Sequence, residues 1–227
     1  MAQRYSYFLK PCLWIGIVLS LTCTLPAQGQ TTHQQSYWVR AFFRVPIGSN
    51  WSWQTEFDNR RFFSPSAQLQ FIAHTHLHRR WGQHWETSVG LSHSWVWQGS
   101  RSLPEWRPFQ ELYYWHVERE RVRLSHRLRT EVRWLFQGAG KNARFRWRFR
   151  YMPRLDIRLW RIWALRANTE IMFHDDSFDQ WRFYTGMMRR FSKAISAEIG
   201  YLKVIQKRGE GQYFDRDNVR ATVFFDF

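Results

Sequence analysis

Cysteine is almost missing from this chain. Of its 227 residues only Cys12 and Cys23 are cysteines, and both lie in an N-terminal segment laid out as an export signal. The remainder therefore has no thiol, which excludes cysteine nucleophiles, structural disulfides and cysteine-metal sites. Also missing is an apolar run long enough to cross a bilayer as a helix. The longest, Leu13-Trp14-Ile15-Gly16-Ile17-Val18-Leu19-Ser20-Leu21, falls well short of the ~20 residues required. Glycine-rich phosphate loops, EF-hand spacing and an HExxH pattern do not occur, and Gly138-Ala139-Gly140 reads as an exposed loop tip. No cofactor and no metal are implied. Acidic residues are scarce, 18 against 34 Lys and Arg for a formal net charge of +16, so an acidic partner or solute suits this chain better than a basic one.

Arg4 and Lys10 precede the apolar run and Ala27-Gln28-Gly29 follows it, placing small residues at the positions that signal peptidase reads for cleavage before Gln30. Residues 1–29 are read as a signal peptide and 30–227 as a single domain, since no longer repeat, low-complexity tract or linker interrupts the latter. Lipidation at Cys23 is the weaker alternative, because Thr22 stands where Gly or Ala is usual. A retained anchor is another.

What the chain does have is an unusual pairing: 19% aromatic residues with fifteen Trp, yet a mean hydropathy of −0.57. Aromatics interleaved with arginine also describe proteins that stack nucleic-acid bases and neutralise phosphates. The export signal argues against that, and so does the spacing. Over 121–134, Arg121, Arg123, Ser125, Arg127, Arg129, Glu131 and Arg133 share one parity, while Val122, Leu124, His126, Leu128, Thr130, Val132 and Trp134 share the other. Arg144, Arg146, Arg148 and Arg150 then oppose Phe145, Trp147, Phe149 and Tyr151. A period of two is a strand with one polar and one apolar face. Near the start, Ser52, Gln54, Glu56 and Asp58 oppose Trp51, Trp53, Thr55 and Phe57; at the end, Asn218, Arg220, Thr222 and Asp226 oppose Val219, Ala221, Val223, Phe225 and Phe227. With comparable segments near 37–45, 67–78, 84–97, 107–118, 160–173, 180–191 and 194–205, eleven are counted.

Alternation also fits a soluble β-sandwich. A transmembrane barrel accounts in addition for the export signal and for aromatics gathered at strand ends: Trp81 and Trp85 about one turn, Trp95, Trp97 and Trp106 about a loop, Trp160 and Trp163 about another. Such rings form a girdle at headgroup depth. Short turns at 46–50, 79–83, 118–121, 155–159 and 191–194 alternate with polar links at 59–66, 98–106, 137–143, 174–180 and 206–217. Short turns inside and longer loops outside are the outer-membrane pattern. The expectation is an all-β fold, a single antiparallel transmembrane barrel of 10–12 strands. Because bacterial barrels are usually even, ten or twelve strands are favoured over the eleven counted, twelve slightly.

Several segments resemble the landmarks of an outer-membrane family known as domain of unknown function 2490: Arg107-Pro-Phe-Gln-Glu-Leu, Ser125-His-Arg-Leu-Arg-Thr-Glu, Arg148-Phe-Arg-Tyr, Asn168-Thr-Glu-Ile, Phe178-Asp-Gln-Trp-Arg-Phe-Tyr-Thr-Gly and Glu198-Ile-Gly-Tyr. The resemblance covers most of the chain after residue 30, and Trp181 replaces the Asn usual in similar proteins. It implies an outer-membrane barrel and no activity. The terminal Ala221-Thr-Val-Phe-Phe-Asp-Phe227 likewise resembles the strand that outer-membrane assembly machinery recognises.

Inside such a barrel the polar parity lines the lumen. Arg121, Arg123, Arg127, Arg129, Glu131, Arg133, Arg144, Arg146, Arg148, Arg150, Arg166, Glu170, Arg182 and Glu198 are expected to form a charge network there, because a buried arginine needs a partner or water. Glu56, Asp58, Glu86 and Asp226 share that parity. The expected role is structural, binding or passive transport. In the bland version the network staples the strands; in the sharper one the excess of arginine passes or holds an anionic ligand, with rows 121–133 and 144–150 as its wall. The partners expected are outer-membrane lipids, the assembly machinery and an anionic ligand, and not nucleic acid.

Two further constellations carry chemistry. His74, His76 and His78 share a face, but three imidazoles along one straight strand do not converge on a tetrahedral ion without help from neighbours. Ser92-His93-Ser94 and Ser125-His126 supply the residue types of a lipid hydrolase or acyltransferase, with His93 and His126 on the outward parity; no nucleophile-elbow glycine pattern accompanies them.

Overall fold

Each stretch of period-two sequence becomes a strand. The computed structural model describes residues 30–99, 101–136, 143–175 and 177–227. The export signal expected over 1–29, which holds both cysteines, the glycine tip expected at 138–140 and most of the 137–143 link lie outside the described residues. The strands are β1 (Gln30–Pro46), β2 (Trp51–Phe62), β3 (Gln68–Trp81), β4 (Trp85–Gln98), β5 (Arg101–Glu118), β6 (Val122–Leu135), β7 (Arg144–Arg158), β8 (Trp163–His174), β9 (Ser177–Arg190), β10 (Ile195–Gly209) and β11 (Gln212–Asp226). Each pairs antiparallel with the next, and β1 meets β11 to close a barrel.

Eleven strands fall within the range expected, but the number is odd rather than even. Successive hairpins reverse direction, so the first and last of an odd set run the same way and must close in parallel. They do so from Gln30↔Gln212 to Arg44↔Asp226 without a register shift. Gln30 therefore sits at one end of the barrel and Phe227 at the other.

The connections correct a second expectation. At the Phe227 end they are 47–50, 82–84, 119–121, 159–162 and 191–194; at the Gln30 end they are 63–67, 99–100, 136–143, 175–176 and 210–211. The links expected at 98–106, 174–180 and 206–217 are largely strand: Gln98 pairs with Arg101, His174 with Ser177, and Gly209 with Gln212. Their polarity suggested loops. Strands of 12 to 18 residues exceed the ~9–11 that span hydrocarbon, so their ends project into water, where polar side chains cost nothing and the ladder continues.

The two parities face as predicted on β2, β6, β7 and β11. Phe145, Trp147 and Phe149 are more than half exposed on the outer wall, and Trp53, Leu128 and Val219 join them. Ser52, Glu56, Asp58, Arg129, Glu131, Arg148, Asn218 and Thr222 are buried inside. A soluble sandwich would place the apolar parity inward; here it is the outer surface, as a lipid-facing wall requires.

Two inward aromatics lie flat against the wall only because glycine opposes them. Phe109 crosses Gly90, where an added Cβ would fall 2.5 Å from its ring. Tyr184 covers Gly186 and Gly200, and a Cβ on Gly200 would also meet the Thr185 carbonyl at 2.2 Å. Each ring carries a guanidinium group, Arg129 over Phe109 at 3.6 Å and Arg220 over Tyr184 at 3.4 Å.

Candidate functional site: the charged lumen

The inward side chains leave a cavity of about 440 Å³ in the lumen, lined by fourteen arginines and seven carboxylates. Their pairing follows from strand order. On the β5–β9 side the arginine rows of β6 and β7 outnumber the glutamates within and beside them, so each carboxylate is shared. Glu131 accepts from Arg129 Nε at 2.9 Å and forms ion pairs with Arg148 and, at 3.5 Å, with Arg150. Glu170 takes Arg127 at 2.5 Å, Arg150 at 2.7 Å and Arg182 at 3.4 Å. Glu111 lies 3.3 Å from Arg127 and 3.4 Å from Arg129. Five guanidinium groups thus share three glutamates. Arg133 joins Arg107 on Glu105, and Arg166 bridges Asp156 and Glu198, both at 2.6 Å.

Most of the residues expected in a charge network meet in this way: Arg127, Arg129, Glu131, Arg133, Arg148, Arg150, Arg166, Glu170, Arg182 and Glu198. Four do not. Arg123 pairs with Glu118 at the Phe227 end, half exposed. Arg121 lies in the turn before β6 and is exposed, because the strand starts one residue later than the parity suggested. Arg144 and Arg146 begin β7 at the Gln30 end, with no ion-pair partner among the described residues; Arg146 stands opposite Arg133, a like charge.

The sequence reading passed over other members. Glu105 and Asp179 fell in presumed links, although both are buried. Arg40, Arg60, Arg107 and Arg220 were not singled out. On β1 the inward row is Trp38, Arg40, Phe42 and Arg44, with aromatics on both faces, so polarity no longer marks the lumen side. Arg40 pairs with Glu56 and lies 3.7 Å from Asp58, which also holds Arg60 at 2.5 Å. Arg220 reaches Glu198 at 3.1 Å. The usable signal was the register of β1 against β11, which no pattern within one strand carries.

The three histidines share the lumen face of β3, as their spacing predicts. Gln54 meets His76 at 3.2 Å, His76 meets His78 at 3.0 Å, and His78 meets Glu86 at 2.7 Å, a relay across β2, β3 and β4. His74 meets Ser92 at 2.5 Å. Among the described residues no set of three or more His, Cys, Asp or Glu has the geometry to hold a metal ion. Within each Ser-His pair the two side chains point to opposite faces: Ser92, Ser94 and Ser125 are buried inside, while His93 stacks on Trp106 at 4.0 Å and His126 meets the Tyr151 hydroxyl at 2.9 Å. Neither outward imidazole has a serine partner among the described residues.

The barrel resembles a solved porin in fold: the NanC porin in a rhombohedral crystal form aligns over 84% of this chain and 99% of its own with a TM-score of 0.54 at 11% sequence identity. No curated protein matches the chain. The model of a family described as "Protein of unknown function (DUF2490)" matches residues 35–215. The matched stretch runs from β1 into β11 and contains every landmark segment quoted above, so this porin-like barrel belongs to the DUF2490 family.

Proposed function

We propose that the chain is an outer-membrane barrel that admits or holds small anionic solutes in its lumen, by passive passage or binding and without chemistry. One observation carries the reading: fourteen arginines line the cavity against seven carboxylates. The carboxylates of Glu105, Glu131, Asp156 and Asp179, bound behind them, still leave the positive charge in excess. A water-filled, low-dielectric-walled passage with such an excess concentrates anions and repels cations. The apolar outer wall contacts membrane lipid, and the exposed Phe227 ends a strand suited to the assembly machinery.

The test is recording from the purified, refolded protein in planar bilayers under a potassium chloride gradient. A reversal potential of anion-selective sign is expected, with selectivity lowered when Arg148 and Arg182 are changed to Gln. Cation selectivity, or a silent bilayer together with no stabilisation of the protein by phosphate, overturns the reading. Recovery of the native protein from the soluble periplasm overturns its location.

A further inference from the structure

Most lumen arginines are occupied by carboxylates, Arg40, Arg60 and Arg220 near the β1–β11 seam included; Arg216, at the Gln30 end of that seam, is held instead by an aromatic ring and amides. At the Gln30 end, Phe214 is flanked by two guanidinium groups, Arg208 at 4.3 Å and Arg216 at 4.7 Å from its ring centre. Arg216 donates to the side-chain carbonyls of Gln34 at 2.7 Å and Gln206 at 3.3 Å, and among the described residues no carboxylate lies within ion-pair distance of it. The charges of Arg60 and Arg208 bear on it as repulsion. Deeper in the lumen, Trp38 carries Arg60 over its ring at 3.7 Å and Arg182 at 5.2 Å. The Trp38 indole N–H and Arg182 Nε are buried there without a hydrogen-bond acceptor.

A guanidinium stacked on a ring has one face covered and presents its planar edge, whose parallel N–H groups match two oxygens of one anionic group. Glutamine carbonyls position that edge without cancelling its charge. The Arg208–Phe214–Arg216 station, with uncompensated positive charge, fits a ligand that brings acceptors only; at Trp38 the charges of Arg60 and Arg182 are answered by Asp58 and Glu170, and the indole N–H and Arg182 Nε are the donors left over. We propose that Arg208, Phe214 and Arg216 form an entry site, and Trp38, Arg60 and Arg182 an inner site, for solutes carrying a carboxylate or phosphate group. The assignment rests on the anion-admitting reading and sharpens it to a place and a functional group. The oxyanion is taken at the Gln30 mouth, passed to Trp38, and preferred over halide because a sphere cannot use two parallel donors.

Chloride current through the full-length refolded barrel, titrated with acetate or inorganic phosphate on the Gln30 side, reads this out. Block by at least one of the two is expected at millimolar concentration, and comparing them shows which oxyanion the fork prefers. Arg216→Gln leaves no carboxylate behind and keeps the fold, and it is expected to weaken block about tenfold, the loss of one charge-assisted pair. Phe214→Leu should weaken it less. Arg144→Gln removes an exposed charge at the same mouth and should change block less than twofold. Equal effects of the Arg216 and Arg144 changes, or no block of the wild-type current by either oxyanion, overturn the site. If the wild type carries no current, the passage reading fails on its own, and the site is judged by stabilisation: a phosphate-dependent rise in melting temperature that Arg216→Gln abolishes supports it, and no rise in the wild type overturns it.

Discussion

The two sides of the lumen hold the same side chain in different ways. On the β5–β9 side, Arg127, Arg129, Arg148, Arg150 and Arg182 are tied to Glu111, Glu131 and Glu170 in a continuous ionic mesh. Along the β1–β11 seam, Arg40 lies over Phe42 and Arg220 over Tyr184 at 3.4 Å while each also reaches a carboxylate, and Arg216 lies over Phe214 with no carboxylate within ion-pair distance among the described residues. An ionic mesh fixes strand register but commits its donors. Aromatic support fixes the guanidinium plane and leaves donors free. The mesh staples strands, and the entry site proposed above sits where Arg216 has no carboxylate within ion-pair distance among the described residues.

The comparison breaks most visibly at Glu131, whose side chain is fully buried among three arginines. Glu131→Gln leaves those charges without a shared partner and is expected to cost about 3–5 kcal/mol where the wall is dry, measured as a shift in the urea unfolding midpoint of the refolded barrel. A loss below about 1 kcal/mol would show that water, not the mesh, carries this wall. Next in size is Gly200→Ala on the seam side, where the new Cβ meets the Thr185 carbonyl and the Tyr184 hydroxyl. Overpacking of this kind costs about 1–3 kcal/mol, and Tyr184→Ala in the same background should recover part of it. No recovery would mean that backbone contact alone sets the requirement.

Arg216→Gln is expected to lower stability by under about 1 kcal/mol in the same unfolding assay, since only hydrogen bonds to amide carbonyls are lost. A cost like that of Glu131→Gln would erase the distinction between the walls. The smallest effect concerns the outer surface. Once residues 1–29 are removed the chain has no cysteine, so single cysteines at Trp147 and Arg148 can be compared with a lipid-soluble thiol reagent. Reaction at 147 and protection at 148 is the expected pattern, and the reverse would invert the register of β7.

Along β6 and β7 nearly everything was legible, because the lumen row is arginine and glutamate and the lipid row is aromatic and aliphatic, so one strand reports its own orientation. Glu105, Asp179 and the ends of β10 and β11 were not legible. Their polar residues look like loop, and only pairing with a neighbour shows that the ladder continues beyond the apolar band. The site divided in the same way. The arginine mesh was foreseeable from parity, whereas the seam, with Trp38, Phe42 and Phe224 turned inward, looks apolar on both faces.

The sequence by itself determined a period-two chain with eleven alternating segments, an outward aromatic parity and an inward excess of arginine, because strand periodicity and side-chain chemistry are local properties. Tertiary structure alone decided that an odd number of strands closes through a parallel β1–β11 seam, that three glutamates are each shared by two or three arginines, and that Gly90, Gly186 and Gly200 make room for rings from their neighbours. Each of these depends on which residues stand opposite one another across strands, and register is fixed by closing the ring of hydrogen bonds rather than by any strand alone.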